Sequence, residues 1–310
     1  MKSHEISPKA FTAWLATAML GPAALVSAVS SWSAVFVSSI LCGVLCTFIY
    51  RCCDGGMRKH KLYSGLALIW NVYAAAVVAN WGSICWPGKG GQIVVPLVLI
   101  ALAAVSAYNG TRGASSVGAA LCPLCAVIFA IVLACGVGNL QWHRITLSTA
   151  APGGMLLFVF LLPLAAVAIP RQGGAKIGGA LAGIAVFAVL ISVAVIGTLS
   201  LPAALTREDA FYEFSKSLQI FSAVQRFESI AAVAVTLSVY AMLSLLLSAV
   251  GELGESMYVK SGKWIVLGGA AVSAIVVVMG GWISSKYVAI LSLLVWAIGN
   301  VLNQAFPEKR

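Results

Sequence analysis

Acidic side chains are scarce in this chain of 310 residues: there are nine Asp and Glu, and none lies securely at the centre of an apolar run. Charged residues of either sign make up 9% of the sequence and hydrophobic ones 61%, where a soluble domain carries about 25% charge. So little charge cannot cover a water-facing surface, which places the chain in a bilayer. Histidine is equally sparse: His4, His60 and His143 stand far apart, and none opens a metal motif. No H-E-x-x-H or G-x-S-x-G pattern and no paired intramembrane carboxylates occur, so no enzyme activity, catalytic residue, cofactor or metal site is expected. Segments of alternating hydrophobicity are missing, which excludes a transmembrane β-barrel. The lack of acids within spans also removes the titratable carboxylate that proton-coupled carriers commonly use.

The excess of base, a net charge of +10, is scattered over short loops and forms no stripe. Nucleic acid is therefore not an expected partner, whereas membrane lipid is. Of the eight cysteines, Cys42, Cys46, Cys122, Cys125 and Cys135 fall inside apolar runs, where Cys acts as a small hydrophobe. "CPLC" (122–125) has the spacing of a redox pair but no βαβ context, which favours a structural role.

Ten apolar runs are present, at about 11–29, 31–50, 62–82, 92–108, 116–137, 153–170, 177–199, 228–249, 264–283 and 287–304. A span needs roughly 20 apolar residues, so the expected fold is an all-α polytopic membrane protein. With the N-terminus inside, 13 of the 19 Lys and Arg fall on the inner side, and both termini face the cytoplasm. Five runs precede residue 140 and five follow residue 150, so the second group enters with opposite orientation. An inverted five-plus-five repeat fits: residues 11–137, then 153–304, within one transmembrane domain. Residues 200–227 have no counterpart in the first half.

Within that insertion Phe211, Phe214, Leu218 and Phe221 recur at helical spacing, while Glu213, Lys216 and Arg226 fall largely off the stripe. An amphipathic outer helix at about 207–226 is expected, either as a surface anchor or as a gate built on Glu213, Arg226 and Glu228. "FYEFSKSLQIFSAVQRFESIAAVAVTLSVYAMLSLLLSAV" (211–250) resembles the spore germination permease family, GerAB-like proteins of the amino acid–polyamine–organocation transporter superfamily. The resemblance is carried by Phe211-Tyr212-Glu213, a short helix, and Arg226-Phe227-Glu228 at the start of the eighth span. "AIPRQGGAKIGG" (168–179) is similar to that family's segment after the sixth helix, and residues 21–43 show a weaker likeness.

The resemblance implies a LeuT-like fold. It implies a role as the membrane subunit of a nutrient germinant receptor in spore germination, binding an amino acid or similar small molecule beside partner subunits. It also implies a bacterial cell membrane, or the inner spore membrane, as location. A stand-alone amino-acid transporter and a degenerate, non-transporting homologue are the alternatives. The chain departs from the family at "VFLLPLAA" (159–166), which carries no acid at the centre of the sixth span.

In such a fold the ligand sits near the midplane, where the first and sixth helices break. "MLGPAAL" (19–25) offers a break at Leu20, Gly21, Pro22 and Ala23, where free N–H groups would meet a carboxylate, or else a simple proline kink. Pro163 is the matching breaker in the sixth span, with Phe158 and Phe160 as walls or as ordinary packing. Tyr73 in "WNVY" (70–73) and Ser238 in the eighth span are further lining candidates, and Asn71 reads as interhelical glue or pocket lining.

Overall fold

The computed structural model describes residues 6–52, 61–86, 90–145, 147, 153–170, 176–207, 209–218, 227–257, 262–280 and 283–301. Eight helices are long and apolar enough to cross a membrane: α1 (Pro8–Ala28), α2 (Trp32–Cys52), α3 (Lys61–Trp81), α4 (Gly91–Tyr108), α5 (Thr111–Gly138), α7 (Ile177–Leu199), α10 (Phe227–Ser256) and α11 (Gly262–Met279). The other two apolar runs form shorter helices. α6 (Gly154–Leu161) continues as a 3₁₀ segment, Leu162–Ala168, and α12 (Ser285–Ser292) continues as a π turn, Leu293–Ile298. Two short helices, α8 (Leu201–Thr206) and α9 (Ala210–Ser217), fill the insertion, and no β-strand occurs among the described residues.

Local chemistry sets several ends. Ser7 caps α1, its hydroxyl accepting from Ala10 N–H at 3.3 Å, and Pro8 occupies the first turn where no N–H is needed. α10 runs past the expected end at 249 because Gly251 and Gly254 are kept helical by packing. A Cβ at Gly251 would stand 2.9 Å from Val266, and one at Gly254 2.4 Å from Ile265. Small residues thus let α11 close on α10, as small residues do in membrane bundles.

α1, α2, α6 and α7 pack together, α3, α4, α10 and α11 form a second group, and α12 lies on α6. α1 and α10 join the two groups and are the interior helices: 78% and 72% of their apolar windows are buried, against 22% for α5. Their seam is held by polar contacts suited to a dry interior. Trp14 Nε1 donates to the Ala241 carbonyl at 3.2 Å and to Ser244 Oγ at 3.1 Å, and Thr17 Oγ1 donates to the Gly118 carbonyl of α5 at 2.9 Å.

The charged insertion docks more deeply than a helix resting on the surface. Phe211 and Phe214 of α9 are fully buried, in a ring cluster with Phe129 and Phe187. Of the expected helix over 207–226, the described residues show α9, Ala210–Ser217. α9 ends at Ser217, and 219–226 lies outside the described residues. On its polar face Lys216 Nζ bonds Glu213 Oε1 at 2.8 Å, and Arg207 lies 3.6 Å from the same carboxylate. That hydrogen bond raises the Lys216 pKa. Phe214→Ala should cost about 3–5 kcal/mol in thermal unfolding in detergent, whereas Lys216→Ala should cost under about 0.5 kcal/mol.

Candidate functional site

α1 does not unwind at Gly21–Pro22; it runs unbroken from Pro8 to Ala28. Pro22 has no N–H for the Ala18 carbonyl, and one residue earlier a hydroxyl of α10 enters the helix ladder. Gly21 N–H donates to Ser238 Oγ at 2.5 Å, and the Ser238 hydroxyl donates in turn to the Thr17 carbonyl. An α-helix joins that N–H and that carbonyl directly; here one hydroxyl stands between them. The N–H expected to face a ligand carboxylate is therefore already used. The approach is close enough that a Cβ on Gly21 would meet Val235 O and Ser238 Cβ, each at 2.9 Å. Leu20, Gly21, Pro22, Ala23 and Ser238 are all buried at this junction.

The sixth span does change its winding. α6 passes into 3₁₀ geometry at Leu162, with Pro163 in its first turn, and residues 158–167 are buried. A proline and a tighter turn leave carbonyls without helical partners, and α2 supplies them. Cys46 Sγ donates to the Phe160 carbonyl at 3.5 Å, and the Tyr50 hydroxyl donates to the Pro163 carbonyl. Tyr50→Phe would strand the Pro163 carbonyl in an apolar interior and should cost about 1–3 kcal/mol, read by thermal unfolding beside the unchanged protein.

Phe158 faces the other way, toward α3. Its ring meets Trp70 edge-on at 6.2 Å and Trp81 at 5.8 Å, while Trp70 lies 5.3 Å from Tyr73. The Tyr73 hydroxyl accepts from Ile283 N–H at 3.0 Å, which ties this cluster to the chain before α12. Asn71, the next residue after Trp70 on α3, is fully buried. Both its amide oxygen and its amide nitrogen lack a hydrogen-bond partner among the described residues, as does Trp70 Nε1. Helix glue would require an interhelical partner, and Asn71 has none among the described residues. A buried amide without a partner costs free energy, so it needs a reason other than packing.

Phe158 and Tyr73 thus share one aromatic cluster, Phe160 and Pro163 belong to the α2–α6 contact, and Gly21 with Ser238 belongs to the α1–α10 seam. Asn71 and Trp70 were legible only as a polar pair in a span; that they lack partners is a three-dimensional fact. Among the proposed gating residues, Glu213 is engaged by Lys216 and Arg207, and Glu228 lies in the first turn of α10, where an acid favours the helix dipole. Arg226 lies outside the described residues.

No protein-family model matches the sequence, and no curated protein does. In structure the chain is similar to Mhp1, a nucleobase-cation-symport-1 family transporter in a closed conformation with bromovinylhydantoin bound. The match has a TM-score of 0.60 at 13% identity and covers 94% of this chain and 77% of Mhp1. That likeness fixes the architecture: an all-α polytopic membrane protein of the LeuT-like fold.

Proposed function

We propose that this chain is a permease-like membrane protein that binds a small, neutral, polar ring compound in mid-bundle, beside α3 and the winding change of α6. The observation that carries this reading is Asn71, buried on α3 with both amide atoms unpartnered among the described residues, next in the chain to Trp70 of the aromatic cluster. An amide offers one acceptor and two donors, and it pairs naturally with a ligand that places N–H beside C=O. A hydantoin ring of the kind bound by Mhp1 has that pattern, as nucleobases do. Trp70, Tyr73 and Phe158 would supply flat apolar walls, in keeping with small-molecule sites that are mostly apolar with few polar groups.

An amino acid, the ligand implied by the germination-permease resemblance, would set its carboxylate at Leu20–Ala23, where Ser238 already takes the Gly21 N–H. It is therefore the second candidate. A receptor role, with the ligand sensed rather than carried, is the second functional reading. It is favoured by the absence of any fully buried Asp or Glu among the described residues, since sensing needs no coupling carboxylate.

The test is thermal stabilisation of the purified protein by hydantoins, nucleobases and neutral amino acids, followed by uptake in proteoliposomes. Stabilisation by a ring compound, absent in Asn71→Leu, supports the site. Uptake assigns transport, and binding without uptake assigns sensing. Stabilisation by amino acids alone, retained in Asn71→Leu, overturns the proposed site.

A further inference from the structure

A groove of about 690 Å³ runs along the outside of the bundle between α2 and α7. Its walls include Phe36, Val44 and Phe48 of α2 and Val186 and Leu190 of α7, all well exposed on the bundle surface. The polar groups on its lining are largely spent on their own helix: Ser39 Oγ donates to the Phe36 carbonyl and Thr47 Oγ1 to the Gly43 carbonyl. Gly43 deepens the groove, for a Cβ there would have nothing within 4 Å. From Phe36 to Arg51 the groove follows α2 for about 22 Å at the helical rise, most of a hydrocarbon core about 30 Å thick.

One end differs. Arg51 lines it, makes no ion pair with any described acid, and lies where α2 ends and α7 begins. Exposed Lys176, the residue before α7, stands at the same end, where Thr47 lies against Gly178. An apolar channel of this length, closed at one end by cations that pair with no described acid, is complementary to an anionic amphiphile.

We propose that this groove is a binding site for an anionic phospholipid, with an acyl chain lying between α2 and α7 and the phosphate at Arg51. The site is independent of the one proposed at Asn71, but its α2 wall also supports the winding change of α6. Gly43, Val44, Thr47, Phe48 and Arg51 form the groove face of that helix, while Cys46 and Tyr50 on its other side hold the carbonyls of Phe160 and Pro163. A lipid seated in the groove therefore braces the helix that supports the winding change.

The experiment is native mass spectrometry of the intact protein in detergent, titrated with phosphatidylglycerol, phosphatidylethanolamine and phosphatidylcholine. Phosphatidylglycerol should be retained preferentially at one site. Arg51→Gln should reduce that preference about fivefold, the effect of one cation at a membrane surface, while apolar retention persists. Gly43→Phe should remove the site for all three lipids, and Ala182→Phe plugs the facing wall should Gly43→Phe fold poorly. Ile275→Phe, on the exposed face of α11, controls for ordinary surrounding lipid and should change nothing. Equal retention of the three headgroups, or no response to Arg51→Gln and either plug, would overturn the site. A dimer mass that disappears in Gly43→Phe would instead assign the groove to a second copy of the chain, and would equally overturn it.

Discussion

Asn71→Leu protein is expected to melt higher than the unchanged chain and to have lost its ligand response. The amide of Asn71 is buried with neither atom hydrogen-bonded to any described residue, and an unmet buried polar group costs about 1–3 kcal/mol. Leucine keeps the branching at Cγ and replaces both polar atoms with methyl groups, so most of that cost should return as stability. Asn71→Ala should behave differently: it removes the same polar atoms but leaves a hole beside Trp70, and its stability should fall or stay level. Both variants should be blind to a ring compound that stabilises the parent. A residue kept at a cost to stability, whose apolar replacement strengthens the fold and abolishes binding, is kept for function. If Asn71→Leu instead destabilises the protein while binding survives, the amide has a structural role and the ligand lies elsewhere.

A large loss of stability is expected from a single added methyl group, in Gly118→Ala. The added Cβ would lie 2.0 Å from Trp14 Cδ1. The indole has nowhere to go: Trp14 is fully buried, and its Nε1 is bonded to Ala241 O and Ser244 Oγ of α10. Moving it breaks the α1–α10 seam, and moving α5 breaks the bond from Thr17 Oγ1 to the Gly118 carbonyl. Overpacked sites typically cost about 1–3 kcal/mol, and three helices meeting at one immovable ring put this one at or above the upper end. Gly43→Ala is the matched control, adding the same methyl group to open space, and should be neutral. Fluorescence-detected size exclusion after graded heating would separate the two; equal melting of Gly118→Ala and Gly43→Ala would show that α1, α5 and α10 are less tightly joined than described.

The span pattern was largely legible because uninterrupted apolar runs leave few alternatives. Each of the ten runs has its apolar helix, the sixth and last being the short ones. Pro163 announced the winding change of α6, since a missing N–H is a local property. Pro22 announced a break that did not occur: α1 stays helical through it, and the contact that ties this turn to its neighbour is remote, Ser238 standing 217 residues from Gly21 and bringing its hydroxyl from another helix. The insertion was legible as amphipathic, but its depth was not. The stripe of Phe211 and Phe214 gives an apolar face without saying whether lipid or protein covers it, and here protein does, Phe129 meeting Phe211 and Gly136 lying under the Phe214 ring. Asn71 shows the same limit at the proposed site. Sequence gives the polar group and its depth, and only packing reveals that nothing answers it.

The hydroxyl between Thr17 and Gly21 turns one amide into a reporter. Most helix amides exchange with solvent deuterium when their own turn frays. Gly21 N–H is held by a side chain of α10, so its exchange requires α1 and α10 to part. The protection of that single proton therefore measures the free energy of separating the two interior helices, the cooperative opening that would have to accompany any exposure of the bundle core. A ligand that slows exchange at Gly21 locks the seam, and one that speeds it prises the seam apart, so the direction of the change distinguishes a closing ligand from an opening one without any measurement of flux.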